Sequence, residues 1–241
     1  MRLSLVNRDL VMLPGFDGTG ALLAPLVAEL DGRFQTRVVR YPKNKPLIYP
    51  QLFPCIREVL PWGKPYSILA DSFSGHLALL FAEDQPQYLE SIILCSSFIT
   101  DPSEPPKWWN KMVWKDPFKA PFPEETLKTY FLGENCSATL LSETRRALES
   151  IPPEILEFRW NMALRTNTWP QLARCKKPVL YLSGNQDKLC SPSTPAQILA
   201  QNRDVEVVTM NSPHCIFQTS PREAAAYIDA FVDQRLLSRA A

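Results

Sequence analysis

Short apolar runs alternate with amphipathic stretches along most of this sequence. The runs DLVMLPG, FQTRVVRYP, YSILA, LESIILCSS, KPVLYLSGNQD and VEVVTM predict strands. Stretches with apolar positions three and four residues apart predict helices between them, including one that Pro54 is expected to break and a long one at the C-terminus. Strands that alternate with helices are typical of a doubly wound, mostly parallel sheet, here of about six strands.

Residues 100–168 interrupt this alternation. They open with a run rich in proline and tryptophan, and three helical patterns follow over residues 124–132, 137–150 and 153–164. This organisation predicts an α/β core formed by residues 1–99 and 169–241, with residues 100–168 inserted as a helical cap. Little chain precedes the first predicted strand, and residues 2–6 are the candidate for one short additional strand.

Composition and charge narrow the class of protein. Hydrophobic residues make up 45% of the 241 residues and charged residues 21%, which is sufficient for a buried core. A formal net charge of +1 gives no electrostatic reason to expect nucleic acid or an anionic membrane as a partner. No transmembrane helix and no signal peptide are recognised. We therefore expect a cytoplasmic protein whose six cysteines are free thiols without metal-binding spacing, and the sequence leaves the oligomeric state open.

The first candidate for chemistry lies where the predicted strand YSILA meets a helix, in the run ADSFSG. A sharp strand-to-helix turn needs small residues two positions before its nucleophile and two and three positions after it. Ser72 meets this condition with Ala70, Ser74 and Gly75, whereas at least one large residue falls at these positions if Ser74 or Asp71 attacks. Ser72 is therefore the candidate nucleophile, and a helix N-terminus capped by Ser72 or Ser74 is the alternative.

A serine that attacks a carbonyl group needs N–H donors for the oxyanion that forms. The backbone amide of Phe73, directly after Ser72, is the first candidate donor. The glycine-rich loop LPGFDGTG follows an earlier predicted strand and supplies the second candidate, the amide of Phe16. A simple glycine turn with Thr19 capping the next helix is the alternative, since the loop matches neither a dinucleotide-binding motif nor a P-loop.

The chain has only two histidines that can act as the base. His76 lies one turn into the helix after Ser72 and is interpreted as a packing or rim residue, whereas His214 lies in a loop after the last predicted strand. Asp187 follows another strand end behind a glycine turn and is the candidate orienting acid, with Asp101 as the second choice. The chain order Ser, Asp, His and the position of each residue after a strand predict one site at the carboxyl edge of the sheet.

The sequence resembles the α/β-hydrolase superfamily over nearly its whole length, on the evidence of LPGFDGTG, LADSFSG, SGNQDKLCSP and NSPHCIFQTSP. The resemblance implies an α/β-hydrolase fold with a shortened N-terminus, a cap after the sixth strand of the family, and a serine-hydrolase mechanism like that of small carboxylesterases. The chain departs from the family pattern at both glycines of the nucleophile elbow, where it has Ala70 and Ser74.

The expected reaction is hydrolysis of a small-molecule carboxylic ester through a Ser–His–Asp triad and an acyl-enzyme, with no metal and no cofactor. A thioesterase or an acyltransferase would use the same residues, and a non-catalytic binding protein on this fold is the alternative of a different class. Aromatic residues of the cap, including Trp108, Trp109 and Trp114, predict a pocket for an apolar acyl or alcohol group. Packing of the cap onto the core is the other explanation for these rings.

Overall fold

The computed structural model describes residues 8–97, residue 99 and residues 122–240, the side chains of residues 235–240 excepted. Its strands are β1 (Arg8–Leu13), β2 (Phe34–Val38), β3 (Tyr66–Asp71), β4 (Leu89–Cys95), β5 (Val179–Gly184) and β6 (Glu206–Met210). They form one sheet in the order β2-β1-β3-β4-β5-β6, and every neighbouring pair is parallel. The prediction of a doubly wound, mostly parallel sheet of about six strands is confirmed.

Helices connect the strands, as the alternating pattern predicted. A 3₁₀ turn at Ala21–Leu23 leads into α1, and α4 continues into a π-helical turn at Leu127–Leu132. The helices are α1 (Ala24–Leu30), α2 (Tyr49–Val59), α3 (Ser74–Glu83), α4 (Glu124–Thr126), α5 (Ala138–Glu149), α6 (Pro153–Arg165), α7 (Trp169–Arg174), α8 (Thr194–Gln201), α9 (Ile216–Thr219) and α10 (Pro221–Ala240).

The sheet separates two apolar layers, and β1 shows why the strands read as continuous apolar runs. Leu10 and Met12 lie in the layer that also contains residues of α1 and α10, whereas Val11 and Leu13 lie in the layer of α2 and α3. Successive side chains of a strand point to opposite faces, so both faces of the sheet are buried at β1. Apolar residues of α5 and α6 belong to the same cluster as α2 and α3, which places these helices over one face of the sheet.

Helix α2 continues through Pro54, so the predicted break at this residue is wrong. An interior proline removes one hydrogen bond and crowds the preceding turn, at a cost of about 3 kcal/mol. The helix buries Leu52 and Ile56 on either side of Pro54, and the Gln51 side chain accepts a hydrogen bond from the Ile48 amide (3.0 Å) at its start. Helices in proteins owe most of their stability to such packing, which outweighs the local preference here.

The three helical patterns of the predicted insertion are helices in the structure: α4 with its π-helical turn, α5 and α6. They lie between β4 and β5 in the chain, where the sequence analysis placed the cap. The division into core and cap at residues 100 and 168 stays a prediction. Several other predictions lie outside the described residues, namely those on residues 2–6, Asp101, Trp108, Trp109 and Trp114.

The structure also bears on the expectations about the cysteines and about membrane-spanning helices. All six cysteines lie within the described residues, and all six are free thiols. None of the helices in the described part of the chain combines the length and the apolar character needed to cross a bilayer.

The topology of the sheet determines where a site can form. Strands β1 and β3 are neighbours in the sheet. From β1 the chain continues to β2 on the side away from β3, whereas from β3 it continues to β4 on the side away from β1. In open parallel sheets, such a reversal leaves a crevice at the carboxyl ends of the strands. The loops after β1 and β3, which carry Phe16 and Ser72, border this crevice.

Candidate active site

Ser72 occupies the sharp turn between β3 and α3. Its φ of 47° lies in the left-handed region, which a residue with a side chain adopts only at a cost in free energy. The Ser72 amide donates to the Cys95 carbonyl (2.8 Å), and the Ser72 carbonyl accepts from the Gly75 amide (3.0 Å). Ala70, two positions before the turn, is fully buried. These contacts hold the turn in a conformation that presents the Ser72 hydroxyl at the edge of the sheet.

The small residues after the turn have a steric reason, and Ser74 has an additional one. A Cβ atom on Gly75 would lie 2.3 Å from Cβ of Ser97, so a larger residue would displace the neighbouring strand end. The Ser74 hydroxyl donates to the Pro14 carbonyl and accepts from the Tyr41 hydroxyl (2.6 Å). Serine at this position therefore ties the turn to the loop after β1, a contact that the glycine of the family pattern does not provide.

His214 reaches Ser72 from the loop after β6, and Asp187 reaches His214 from the loop after β5. The His214 Nε2 atom lies 2.8 Å from Ser72 Oγ, and Nδ1 lies 2.9 Å from Asp187 Oδ2. The second oxygen of Asp187 accepts the backbone amides of Leu189 (2.7 Å) and Cys190 (3.0 Å), which orients the carboxylate. Because Nδ1–H donates to Asp187, a neutral imidazole has its lone pair on Nε2, facing the Ser72 hydroxyl.

The electrostatics of this group favour a charged pair. The side chains of His214 and Asp187 are only 3% and 4% exposed. Burial acts to lower the pKa of His214, but the charge and hydrogen bond of Asp187 and the charge of Asp71 outweigh it, so this pKa is raised. Burial acts to raise the pKa of Asp187, but His214 and the two backbone amides hold it below its usual value. Asp187 is therefore ionised at neutral pH and stabilises a protonated His214.

His76, the other histidine, makes a separate contact inside the protein. Its Nε2 atom lies 3.0 Å from the Ala163 carbonyl, and Nδ1 lies 2.9 Å from the Thr168 hydroxyl. Since a carbonyl can only accept, Nε2 carries the proton and Nδ1 accepts from Thr168. Burial lowers the pKa of His76 to about 4, which keeps the ring neutral. His76 fastens α3 to the end of α6, in agreement with its interpretation as a packing residue.

Two further carboxyl groups lie buried beside the site, and the sequence analysis considered Asp71 only as an alternative nucleophile. A Cβ atom on Gly15 would lie 3.4 Å from Asp71 Oδ2 and 3.6 Å from Asp17 Oδ1, so both carboxyl groups approach Gly15. The pKa of Asp71 is raised to about 7, because burial, together with the charge of Asp17, outweighs the charge of His214 and a hydrogen bond with Gln218, which act to lower it. Asp71 is therefore partly protonated at neutral pH.

Arg159 of α6 holds the loop after β1, and the sequence analysis did not single it out. Its Nη1 atom donates to the carbonyls of Phe16 and Asp17 (both 2.8 Å), and Nη2 donates to the Pro42 carbonyl (2.8 Å). The residue is 2% exposed. Gly18, with a φ of 70°, makes room for it, because a Cβ atom there would lie 2.5 Å from Nη1. One signal in the sequence could have identified Arg159. Apolar residues stand three and four positions before and after it, so it lies on the apolar face of α6.

Both candidate oxyanion residues lie at this edge of the sheet. Phe73 lies in a helical conformation directly before α3, and the first amides of a helix have no partner within it. Phe16 lines the same small pocket as Ser72. The Thr19 hydroxyl accepts the Ala21 amide (3.1 Å) at the start of the 3₁₀ turn, so the contact on which the alternative interpretation depends is also present, although Gly20 is the N-cap. The two interpretations of this loop are therefore compatible.

The pocket beside Ser72 and His214 is small, with a volume of about 30 Å³. Phe131 of the π-helical turn, Leu148 of α5 and Leu22 of the 3₁₀ turn give it apolar walls. The Phe131 ring packs edge-on against the His214 imidazole, with ring centroids 6.0 Å apart. The segments that follow β1 and β4 in the chain thus both contribute to the surroundings of the candidate base.

Asp187, Cys190 and His214 have ligand atoms within 4.8 Å of one another, the one such group of metal-binding side chains in the described part of the chain. Each of these atoms already has a partner within the protein. Nδ1 of His214 is hydrogen-bonded to Asp187, and the Cys190 thiol donates to the Ser96 carbonyl (3.1 Å). This arrangement orients the His214 imidazole, and it lacks the free ligand atoms of a metal site.

No protein-family model and no curated protein matches this sequence. Solved structures are similar to it in fold. An esterase from Exiguobacterium antarcticum has a TM-score of 0.82 at 13% identity, over 94% of this chain and 92% of that one. A bromoperoxidase from Bacillus anthracis has a TM-score of 0.80 at 12% identity, over 95% and 92%. A hydrolase from Pseudomonas aeruginosa has a TM-score of 0.74 at 19% identity, over 94% and 90%.

Identities this low are informative about the fold alone. The order and direction of the six strands agree with the similarity to these structures and with the motifs in the sequence. This chain has the α/β-hydrolase fold.

Proposed function

We propose that this protein is a serine hydrolase that cleaves a carboxylic ester with an apolar acyl or alcohol group. The observation that carries the proposal is the line of hydrogen bonds from Ser72 through His214 to Asp187, with lengths of 2.8 and 2.9 Å. A hydroxyl, an imidazole and a buried carboxylate in this order make a nucleophile with an oriented base. The esterase among the structures of similar fold supports the same class.

The reaction proceeds in two steps. His214 Nε2 takes the Ser72 proton while Oγ attacks the ester carbonyl, and Asp187 stabilises the imidazolium that forms. His214 then gives the proton to the leaving alcohol, and the acyl group remains on Ser72. Water, deprotonated by the same Nε2, attacks the acyl-enzyme, and His214 returns the proton to Ser72 as the carboxylic acid leaves.

The oxyanion of each tetrahedral intermediate is stabilised by the amides of Phe73 and Phe16 in this mechanism. Phe73 follows the nucleophile at the start of α3, and Phe16 belongs to the loop that Ser74 and Arg159 hold in place. A fixed donor of this kind contributes about 3 kcal/mol of transition-state stabilisation. The contacts to the loop therefore matter for the rate as well as for stability.

The pocket walls support an apolar group next to the scissile bond. Leu22, Phe131 and Leu148 are apolar side chains beside Ser72. Each methylene that is buried among such residues adds about 0.8 kcal/mol to binding. We also propose, from the sequence alone, that Trp108, Trp109 and Trp114 contribute to binding of this apolar group.

Labelling with a fluorophosphonate probe tests the proposal. We expect modification of Ser72 in the wild-type protein, located by mass spectrometry, and no modification after Ser72→Ala. An ester panel of graded chain length, with matched thioesters and an added alcohol acceptor, then separates ester hydrolysis from thioesterase and acyltransferase activity. A folded protein that is neither labelled nor active would support the non-catalytic alternative.

Loss of the arginine contacts to the loop is expected to reduce turnover. Replacing Arg159 with methionine removes three hydrogen bonds and frees the loop that carries the Phe16 amide. We expect kcat to fall about 10²-fold with little change in KM, because the amide acts on the oxyanion and not on the bound ester. Steady-state kinetics and thermal melting of the same samples measure the effect on turnover and on stability separately.

Two variants make this result specific to Arg159. Arg159→Lys should recover only part of the rate, since a single ammonium group cannot bridge three carbonyls in the same geometry. Arg145→Met removes another arginine of the inserted helices, one that contacts the Phe122 carbonyl (3.3 Å), and should leave kcat unchanged. An Arg159→Met enzyme with wild-type kcat would show that the loop keeps its position without this contact.

The pH dependence should respond to Asp71. Negative charge on Asp71 favours the protonated form of His214, so Asp71→Asn should lower the pKa of His214. The base is active when unprotonated, and the acidic limb of kcat/KM should therefore move to lower pH in this variant. Asp9→Asn, which alters another buried carboxylate at the opposite end of β1, should not move it. A shift of the limb to higher pH would contradict this assignment.

A further inference from the structure

Two residues that line the pocket beside Ser72 each have a buried side-chain atom without a hydrogen-bond partner, namely Thr144 Oγ1 and Gln218 Oε1. Thr144 belongs to α5 and is 1% exposed, whereas Gln218 belongs to α9 and is 7% exposed. Both residues line the pocket that contains Ser72 and His214. A buried polar group without a partner destabilises the protein, so two of them on residues of one pocket favour a ligand group that pairs with both.

The amide of Gln218 is oriented by contacts on its other side. Its Nε2 atom donates to the Leu22 carbonyl (2.9 Å), and the side chain also hydrogen-bonds the Asp71 carboxyl group. Because these contacts engage the NH₂ end of the amide, Oε1 is left as an acceptor that requires a donor. The Thr144 hydroxyl can either donate or accept.

We propose that Thr144 and Gln218 recognise a hydroxyl group of the substrate close to the scissile carbonyl. A hydroxyl group accepts a hydrogen bond from Thr144 and donates one to Gln218, so it pairs with both orphaned atoms. A carbonyl group would leave Gln218 without a donor. An ammonium group has three hydrogens to donate, whereas Thr144 and Gln218 offer it two acceptor atoms.

The size of the pocket agrees with this choice of ligand group. A volume of about 30 Å³ exceeds the roughly 10–15 Å³ that one water molecule needs, so the pocket has room for a small polar group beside Ser72. The neighbouring apolar walls would hold a methyl group of the same size equally well. The two polar atoms are therefore what distinguishes a hydroxyl from a methyl group at this place.

This inference rests on the proposed esterase function and narrows its substrate class to hydroxy esters. The hydroxyl belongs either to the acyl group, as in an ester of a hydroxy acid, or to the alcohol, as in a partial ester of a polyol. Either source presents the same chemistry to Thr144 and Gln218. A site that hydrogen-bonds a substrate hydroxyl discriminates strongly against an analogue without it, because its own buried polar groups then remain unpaired.

Pairs of esters in which a methyl group replaces the hydroxyl test the inference. Ethyl 2-hydroxybutanoate with ethyl 2-methylbutanoate tests the acyl side, and 2-hydroxyethyl butanoate with propyl butanoate tests the alcohol side. We expect the wild-type enzyme to prefer the hydroxyl member of one pair at least tenfold in kcat/KM. Thr144→Val should bring that ratio close to one, and Thr144→Ser should retain it. Thr126→Val, at a buried threonine of α4, should leave it unchanged.

The outcomes distinguish this inference from the function on which it rests. Ser72 labelling together with equal rates within both pairs would overturn the inference and leave the esterase proposal intact. A hydroxyl preference that survives both Thr144→Val and Thr144→Ala would overturn it too, because a group other than Thr144 would then recognise the hydroxyl. A higher rate for ethyl 2-aminobutanoate than for ethyl 2-hydroxybutanoate would overturn the inference as well, because the site would then recognise an amine and not a hydroxyl. Absence of both labelling and turnover would overturn the esterase proposal and this inference together.

Discussion

Replacement of Ser72 by alanine is expected to lower kcat by roughly 10⁴- to 10⁶-fold while the protein remains folded. The Ser72 hydroxyl is the group that faces the His214 Nε2 atom at 2.8 Å, and the proposed mechanism has no other nucleophile for the attack on the ester. The alanine side chain is smaller than that of serine and fits at the turn. The backbone hydrogen bonds of residue 72 to Cys95 and Gly75 therefore remain. Turnover of the best ester and thermal melting of the same preparation check both parts of the prediction.

Ser74 provides the matched control for Ser72. It lies two positions further along and is fully buried, and its hydroxyl contacts Pro14 and Tyr41. Ser74→Ala should lower the melting temperature through the loss of these hydrogen bonds, each worth about 1 kcal/mol, with a far smaller loss of turnover. A Ser72→Ala protein within tenfold of wild-type kcat would remove Ser72 from the mechanism.

Removal of His214 is expected to reduce kcat by a similar factor, because the members of a catalytic triad act as a unit. His214 Nε2 is the proposed base, and without it the Ser72 hydroxyl has no proton acceptor at 2.8 Å. We expect the double variant Ser72→Ala/His214→Ala to be no slower than either single variant. Rates that multiplied in the double variant would show that the two residues act independently.

The two histidines allow a direct comparison within one chain. His76→Ala should retain kcat within a few fold and lower the free energy of unfolding by about 2–4 kcal/mol, because it deletes a buried ring and leaves Ala163 and Thr168 without their partner. Kinetics and urea unfolding of both variants measure the contrast. The reverse pattern, with His76 essential and His214 silent, would show that the base is assigned to the wrong residue.

Local sequence patterns were sufficient for the fold and for the positions of the candidate triad. Most of the strands are short apolar runs, and the register of the turn at Ser72 depends on residues within three positions of it. Asp187 and His214 could be placed because parallel strands end at the same edge of the sheet. The prediction of a break at Pro54 was wrong. Proline locally disfavours the interior of a helix, but the burial of Leu52 and Ile56, which depends on distant residues, outweighs this preference.

The sequence by itself thus determined the alternation of strands and helices and the three side chains that meet at one edge, since both follow from short-range periodicity and strand order. Only the tertiary structure decided how the surroundings of Ser72 are built. Arg159 contacts Phe16 across 143 positions of the chain, and Thr144 and Gln218 line one pocket from two separate helices. No local pattern encodes such contacts, because burial and hydrogen bonding between distant segments are settled only when the whole chain packs.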